Sequence, residues 1–594
     1  MASPSSSMNT HVDSIIPRPK NLHTNISTDS DSIEGERSES TFPCWYSPET
    51  GIYTSKYPSV RLPADPFLDV VSFIFSHPHS SAAVSLVDSQ SGFSISYSEL
   101  HSLVKSAAAG LHQMGVAQGD VVLLLLPNSV YFPVLVLGIL SLGAVVAPMN
   151  PLSTPSEIKK QAFQGDLNVR LAFSTPERID DLVGLGIPAI GLPEIPNLDS
   201  SEMSSPACSV FRNLISSDPN AAPVPRIKQQ DTAAVLFSSG TTGGCKGAVL
   251  THANFIATVE LFVRFEASQY DGYPAESVYL DVMPMFHVYG LSLFVLGLFS
   301  LGSTVVVMRR YDGDAAVRAI ERYGVTHFPV APPLLIALTR KAKAAAAADG
   351  KGSMMKGVRQ VSCGAAPTSA ACIQDFVQTF PHIDFIQGYG MTETAAVGTR
   401  GYNAGKVRKY GSVGLLAPNM EAKVVDWTSG LPQPPHSMGE LWLRGPSIMK
   451  GYLNNIEASK NTIDSGGWLH TGDIVYFDGE GYLFVQDRLK EIIKYKGFQI
   501  SPVDLEAVIM SHPDITDAAI TSERNDEAGE IPVAFVVKRK GCALLSEEAL
   551  IDFVAKQVAP YKKVRRVYFT TSIPRSAAGK ILRRELKKLI TSKM

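Results

Sequence analysis

An apolar run, Ala233-Ala234-Val235-Leu236-Phe237, opens without a break into Ser238-Ser239-Gly240-Thr241-Thr242-Gly243-Gly244-Cys245-Lys246-Gly247. The run reads as a buried strand. The stretch after it reads as a phosphate cradle: glycines let backbone N–H groups approach oxygens, hydroxyls donate further hydrogen bonds, and Lys246 adds a point charge. It is not a Walker A loop, because Cys245 and Gly247 stand where that motif needs Gly before the lysine and Ser or Thr after it. Taken alone, a segment so rich in Ser, Thr and Gly also matches a plain flexible loop. The rest of the chain decides between the two.

The strand is one of many. Apolar runs such as Val121-Val122-Leu123-Leu124-Leu125-Leu126 and Thr304-Val305-Val306-Val307-Met308 alternate with helical periods such as Ala315-Ala316-Val317-Arg318-Ala319-Ile320-Glu321-Arg322-Tyr323. That alternation predicts an α/β architecture of mixed sheets with helices. The chain has 594 residues, too many for one ordinary core. We expect a disordered tail over 1–42, a large multi-subdomain α/β domain over 43–487, a small mobile α+β domain over 488–591 and a terminal tripeptide, 592–594. The tail is rich in Ser, Asn and Pro, and its acids argue against a transit peptide. Residues 134–149 and 291–308 are apolar but broken by glycines, so neither is read as a membrane span. A net charge of −3 gives no pull toward nucleic acid. Six scattered cysteines without CxxC spacing suggest a reducing compartment and no zinc site. The final Ser592-Lys593-Met594 is similar to the peroxisomal Ser-Lys-Leu address, which implies a peroxisomal import receptor as partner; the alternative is a cytoplasmic protein.

Four further stretches carry chemistry. In Gln387-Gly388-Tyr389-Gly390-Met391-Thr392-Glu393 two glycines flank a ring that can cover a flat ligand, Thr392 can donate to a phosphate, and Glu393 suits Mg²⁺. In Gly467-Trp468-Leu469-His470-Thr471-Gly472-Asp473 the aspartate can accept both hydroxyls of a ribose; it stands just before the strand-like Ile474-Val475-Tyr476-Phe477, so a turn-former is the plainer reading. Asp487-Arg488-Leu489-Lys490-Glu491-Ile492-Ile493-Lys494-Tyr495-Lys496-Gly497-Phe498-Gln499-Ile500 opens the lysine-rich region, and Pro574-Arg575-Ser576-Ala577-Ala578-Gly579-Lys580-Ile581-Leu582-Arg583-Arg584 sets a lysine on a glycine turn. Most of these lysines form a solvated basic surface. Between the motifs, Met285-Phe286-His287-Val288-Tyr289-Gly290 places a histidine among aromatics, a setting typical of core.

The five motifs in this order resemble those of the adenylate-forming superfamily, which includes acyl-CoA synthetases, luciferases and peptide-synthetase adenylation domains. The closest resemblance is to 4-coumarate:CoA ligases and the plant peroxisomal ligases similar to them, and it covers residues 43–588. It implies an acid–CoA ligase that uses ATP, Mg²⁺ and CoA: a hydrophobic carboxylate attacks the α-phosphate of ATP, and CoA thiol then displaces AMP. It further implies that Ser238, Ser239, Gly240, Thr241, Thr242 and Lys246 hold the triphosphate. Gln387, Gly388, Tyr389 and Thr392 would contact adenine and phosphate, Glu393 the Mg²⁺, and Asp473 and Arg488 the ribose. Lys490 matches the hinge between two domain orientations. Lys580 matches the lysine of the adenylation step; a swing of the small domain would exchange it for Lys494, Lys496, Gly497 and Gln499. Lys496, Gly497 and Arg310 match CoA contacts, while His287, Tyr289, Ala365 and Gly388 match the acyl pocket, with a base role for His287 left open. A monomer is expected.

The chain departs from the ligase pattern in places. Cys245 replaces a proline of the phosphate loop, Cys363 stands where serine is common, and Thr394-Ala395-Ala396-Val397-Gly398-Thr399-Arg400 replaces the proline-containing stretch that shapes a phenylpropanoid pocket. A hydroxycinnamate, a fatty acid and a cyclopentanone-bearing jasmonate precursor stay open as substrates. The rival readings are a luciferase-like adenylating oxygenase and a non-catalytic acyl or nucleotide binder. The first is weakened by Val288-Tyr289-Gly290 after His287, and the second by the retention of Lys246, Glu393 and Lys580.

Overall fold

The computed structural model describes residues 44–591, apart from 165–166, 195–205, 239–245, 271–276, 350–353, 402–407, 497, 526–527, 540, 542–544 and 577–578. The expected tail, the terminal tripeptide, and Ser239, Gly240, Thr241, Thr242, Cys245 and Gly497 therefore lie outside the described residues.

The large domain contains two mostly parallel sheets and one antiparallel sheet. The first runs in the spatial order Gly451–Tyr452, Lys246–Thr251, Thr232–Ser238, Val145–Pro148, Val121–Leu125, Val169–Ser174, Ala189–Gly191. Its last five strands are parallel. Every residue of Val121–Leu125 is buried, as expected of a strand covered on both faces. Lys246–Thr251 turns back antiparallel on Thr232–Ser238 and sets Lys246 opposite Ser238. The second sheet has nine strands, of which Asp384–Tyr389, Gln360–Cys363, His327–Val330, Val278–Asp281, Thr304–Val307 and Val84–Asp88 are parallel. In parallel sheets of this kind the crevice outside the carboxyl strand ends is where ligands bind.

Local signals explain the helices. Asp312 caps Gly313–Tyr323 by accepting from the N–H groups of Asp314 and Ala315, and Gly324, at φ +62°, ends it. Ser96 and Glu99 form a reciprocal capping box on Tyr97–Gln113. Each of the two apolar stretches divides between helix and strand: Tyr131–Ser141 is a helix followed by the strand Val145–Pro148, and Leu291–Gly297 and Leu298–Leu301 are helical turns followed by Thr304–Val307. Among the described residues no helix is long and apolar enough to cross a membrane.

The antiparallel sheet includes Glu421–Val425, Gly439–Arg444, Leu469–Phe477 and Leu483–Arg488. Asp473 lies inside the strand Leu469–Phe477 rather than ahead of it, because Gly472 takes φ +72° and lets the strand continue through the bend. The pairing sets Asp473 opposite Arg488.

After residues 489–492 the chain enters a different, five-stranded sheet, that of the small C-terminal domain: Phe498–Ile500, Ile493–Tyr495, Gly529–Lys538 and Ile515–Asn525, with Arg566–Phe569 parallel to Gly529–Lys538. Here alternation rules. Ala518, Ile520, Ala534 and Val536 face one core with Leu505, Ile509, Leu550 and Val554, while Ala519, Val533 and Phe535 face another with Leu586 and Ile590. Successive side chains point to opposite faces, so one pair of strands supplies both cores.

Candidate active site

Glu393 is buried. It sits on the turn Thr392–Thr394, directly after the strand Asp384–Tyr389 and its glycines. Its Oε1 accepts from Ser238 Oγ at 2.9 Å and from the Tyr452 hydroxyl at 2.8 Å. Among the described residues Oε2 carries no hydrogen bond. The Lys246 ammonium stands over the Tyr452 ring at 4.9 Å. Ser238 thus bonds the Glu393 carboxylate directly, and Lys246 stands over the ring of the tyrosine that also donates to it. Gly390 makes the close approach possible: a Cβ there would lie 2.2 Å from the Ala396 carbonyl oxygen.

Tyr389, Asp473 and Arg488 form the second cluster. The Tyr389 hydroxyl donates to Asp473 Oδ2 at 2.6 Å, and Arg488 Nε reaches Asp473 Oδ1 at 2.9 Å. Burial and then the Asp473 charge push the Tyr389 phenol well above its ordinary range, so it stays a donor. Gln387 is buried and donates to the Tyr410 carbonyl at 2.7 Å, which fixes the strand beside Gly388.

The third element comes from the small domain. Gly579 takes φ +81°, and a Cβ there would stand 3.2 Å from Pro333 Cδ and 3.4 Å from Ala331 Cβ, so the turn is packed tightly against the large domain. It delivers Lys580 into a cleft of about 430 Å³ whose lining includes Tyr389, Asp473, Arg488, Ala365 and Gly388. Burial, then the Arg488 guanidinium, push the Lys580 pKa down to about 8, against the pull of Glu491 and Asp473. An ammonium in that position can neutralise an anion without a permanent partner.

The residues expected at the acyl pocket follow the carboxyl end of Val278–Asp281. His287 caps the turn Val288–Gly290, its Nδ1 accepting from the Tyr289 N–H at 3.3 Å. Burial pushes its pKa down to about 4, so the ring is neutral at physiological pH. The Tyr289 hydroxyl lies 3.3 Å from Ser362 Oγ. Cys363 is buried, its thiol pushed up to about 12, and it contacts Thr368 Oγ1 at 3.4 Å. Ala365, at φ +70°, lines the cleft.

Other residues named from sequence stand elsewhere. Lys494 and Lys496 are exposed and do not line the cleft. Gln499 pairs with Lys494 across the hairpin Ile493–Tyr495 and Phe498–Ile500. Lys490 lies in the connection between the sheets, Thr392 is half-buried beside Glu393, and Arg310 is exposed outside the cleft. Sequence reasoning missed Tyr452, which reaches Glu393 only because Gly451–Tyr452 pairs with Lys246–Thr251. It also missed Asn128, whose amide clamps Met283 and Met285 ahead of His287, and the anchor at Arg583, which binds Glu491 and Glu506 at 2.7 Å each.

Comparison with known proteins bears on all of this. Residues 76–453 match the AMP-binding enzyme family, and residues 504–580 match the AMP-binding enzyme C-terminal domain. The chain is 57% identical over 552 residues to 4-coumarate--CoA ligase-like 6 of Arabidopsis thaliana, covering 93% of this chain and 95% of that one. It is 41% identical over 544 residues to peroxisomal OPC-8:0-CoA ligase 1 of the same plant, covering 91% and 96%. Among solved structures it is similar to ATP-bound MatB from Rhodopseudomonas palustris (23% identity, TM-score 0.78, 88% of this chain and 99% of that one). It is also similar to o-succinylbenzoate CoA synthetase (MenE) from Bacillus subtilis in complex with the acyl-adenylate OSB-AMP (23% identity, TM-score 0.73, 87% and 98%). At that identity the two structures establish the fold.

Proposed function

The chain belongs to the AMP-binding enzyme family, and on that premise we propose how its cleft divides the work and which acid it takes. The enzyme is an AMP-forming acid–CoA ligase. Its substrate carboxylate attacks the α-phosphate of ATP and releases pyrophosphate; the CoA thiol then attacks the acyl carbon and releases AMP. A carboxylate oxygen is a poor leaving group and AMP a good one, so the protein's task is mainly to position reactants and neutralise charge.

In this reading Lys246 and the Ser238 end of the loop hold the triphosphate, and Asp473 accepts the ribose hydroxyls while Arg488 and Tyr389 fix its carboxylate. Lys580 stabilises the charge that spreads over the carboxylate and α-phosphate during the first step. The observation that carries the proposal is the Gly579-Lys580 turn seated against Ala331 and Pro333 beside Tyr389, Asp473 and Arg488. The uncommitted Glu393 oxygen fits a Mg²⁺ held by one carboxylate plus phosphate oxygens. That ion would offset phosphate charge when bound. Rotation about Lys490 would then withdraw Lys580 and present Lys494, Lys496 and Gln499 for the second step.

The acid is hydrophobic. Ala365 lines the cleft, and we take the neutral ring of His287 and the Tyr289 hydroxyl bonded to Ser362, which stand outside that lining, as the further acyl contacts. The stretch after Glu393, with Ala395 and Val397 fully buried, departs from a phenylpropanoid pocket and favours a fatty acid or a jasmonate precursor over 4-coumarate. The relative named for OPC-8:0 and for the peroxisome supports both the precursor and an address read by a peroxisomal import receptor. The test is acid-dependent ATP–pyrophosphate exchange followed by thioester formation, across cinnamates, graded fatty acids and cyclopentanone acids. Thioester with none of them would reject the reading, and cinnamates outrunning the others would reject the substrate assignment.

A further inference from the structure

Lys580 reaches the cleft only while the small domain is held against the large one, and a polar contact across the hinge does some of that holding. Asp487 is the penultimate residue of Leu483–Arg488, a strand of the large domain, and it is buried. Its Oδ2 accepts from Ser501 Oγ at 2.6 Å and from the Val503 N–H at 3.5 Å; its Oδ1 accepts from the Arg488 N–H at 2.7 Å. Ser501 is the cap of the small-domain helix Pro502–Met510 and itself accepts from the Asp504 N–H at 3.3 Å. A carboxylate of one domain therefore sits on the positive end of a helix of the other. Burial pushes the Asp487 carboxyl up, and the Ser501 hydroxyl is the strongest influence bringing it down.

The contact is linked to the catalytic turn. Glu506, on the same helix, pairs with Arg583 Nη2, and Arg583 Nη1 pairs with Glu491, both at 2.7 Å. Arg583 Nε also donates to the Ile520 carbonyl at 2.9 Å. Arg583 lies three residues beyond Lys580. From Asp487 the path runs through the 2.6 Å Ser501 bond, the helix Pro502–Met510 and the Glu506–Arg583 ion pair, and the last of these fixes the segment that carries Lys580.

We propose that Asp487 is a positioning residue for acyl-adenylate formation: by gripping the N-terminal end of Pro502–Met510 from the large domain, it holds the small domain in the orientation that seats Lys580. The inference rests on the two-step reading above. Asp487 and Ser501 lie on opposite sides of residues 489–492, so turning the small domain about that connection breaks their bond. Asp487 therefore acts on the balance between the two orientations, and on the first step far more than the second.

Ser501→Asp tests this. Aspartate caps a helix as well as serine does, so Pro502–Met510 survives, but a second carboxylate now faces Asp487 and repels it. Acid-dependent pyrophosphate exchange is expected to fall about tenfold or more, the scale of a lost hydrogen bond to a charged group. Thioester formation from supplied acyl-AMP is expected to hold its wild-type rate or rise. Asp487→Asn, which keeps the shape and removes the charge, should show the same split, smaller. Equal losses in both half-reactions for the two variants would mean a merely structural role and overturn the proposal, as would no loss in either. A wild-type enzyme that exchanges no pyrophosphate with any acid would instead sink the ligase reading on which the proposal rests.

Discussion

The small domain carries lysines on two turns, and the structure treats them in opposite ways. Lys580, after Gly579, is packed into the cleft beside Asp473 and Arg488, its pKa pushed down to about 8. Lys494 and Lys496, on the hairpin that follows residues 489–492, are exposed; Lys496 takes φ +47°, and its ammonium stands 5.9 Å from the centre of the Tyr495 ring. Both turns belong to one sheet-based domain, so a single rigid rotation changes the surroundings of both. On the two-step reading proposed above, the domain holds two electrostatic tools and offers one at a time, which requires that the contacts of the present orientation be reversible. Among the described residues, the contacts at this interface include the Gly579 turn, the Asp487 carboxylate on Ser501 and the Arg340 guanidinium on the Thr516 carbonyl at 3.3 Å.

The sharpest way to break the comparison is Lys580→Ala. Removing one preorganised donor to a developing charge costs about a hundredfold to a thousandfold. Pyrophosphate exchange should fall by that factor, with thioester formation from supplied acyl-AMP unchanged; equal loss in both would show that the turns are not specialised. The mirror experiment is Lys494→Ala with Lys496→Ala, where the CoA step should slow by about tenfold, the scale of lost charge-assisted contacts, and exchange should not move. Tyr389→Phe removes the 2.6 Å bond to Asp473 and should raise the ATP KM several-fold, roughly 1 kcal/mol, at unchanged CoA affinity. The smallest effect is in pH. Lys580 is charged below its pKa of about 8 and loses that charge as pH rises through it, so kcat/KM for ATP should show a falling alkaline limb there that the supplied acyl-AMP reaction lacks.

How much of this was legible in sequence depended on whether a contact was local. The α/β alternation was plain because each buried strand announces itself within five residues, as Val121–Leu125 does. The motif around Gly388 and Gly390 was plain because the glycines that permit the approach to Ala396 adjoin the Tyr389 and Glu393 they serve. Tyr452 was invisible: its bond to Glu393 spans 59 residues and exists only through strand pairing. Asp487 and Ser501 are 14 apart, but one ends a strand of one sheet and the other begins a helix on another, and no periodicity links them. Arg310 shows the converse: a basic residue at a plausible position in the chain stands exposed outside the cleft. Read from sequence alone, Asp473 stands ahead of its strand because the apolar run starts only at Ile474; the strand in fact begins at Leu469, and Gly472 bends it without ending it.

A covalent lock tests the exchange of turns most directly. A Cβ at Gly579 would lie 3.4 Å from the Ala331 Cβ, close to the separation of about 3.8 Å that a disulfide spans. In Ala331→Cys with Gly579→Cys, oxidation should pin Lys580 in the cleft: the enzyme should still form acyl-AMP and release pyrophosphate, yet make no thioester until a reductant frees the small domain. Thioester formation at the same rate in the oxidised and reduced forms would contradict the account.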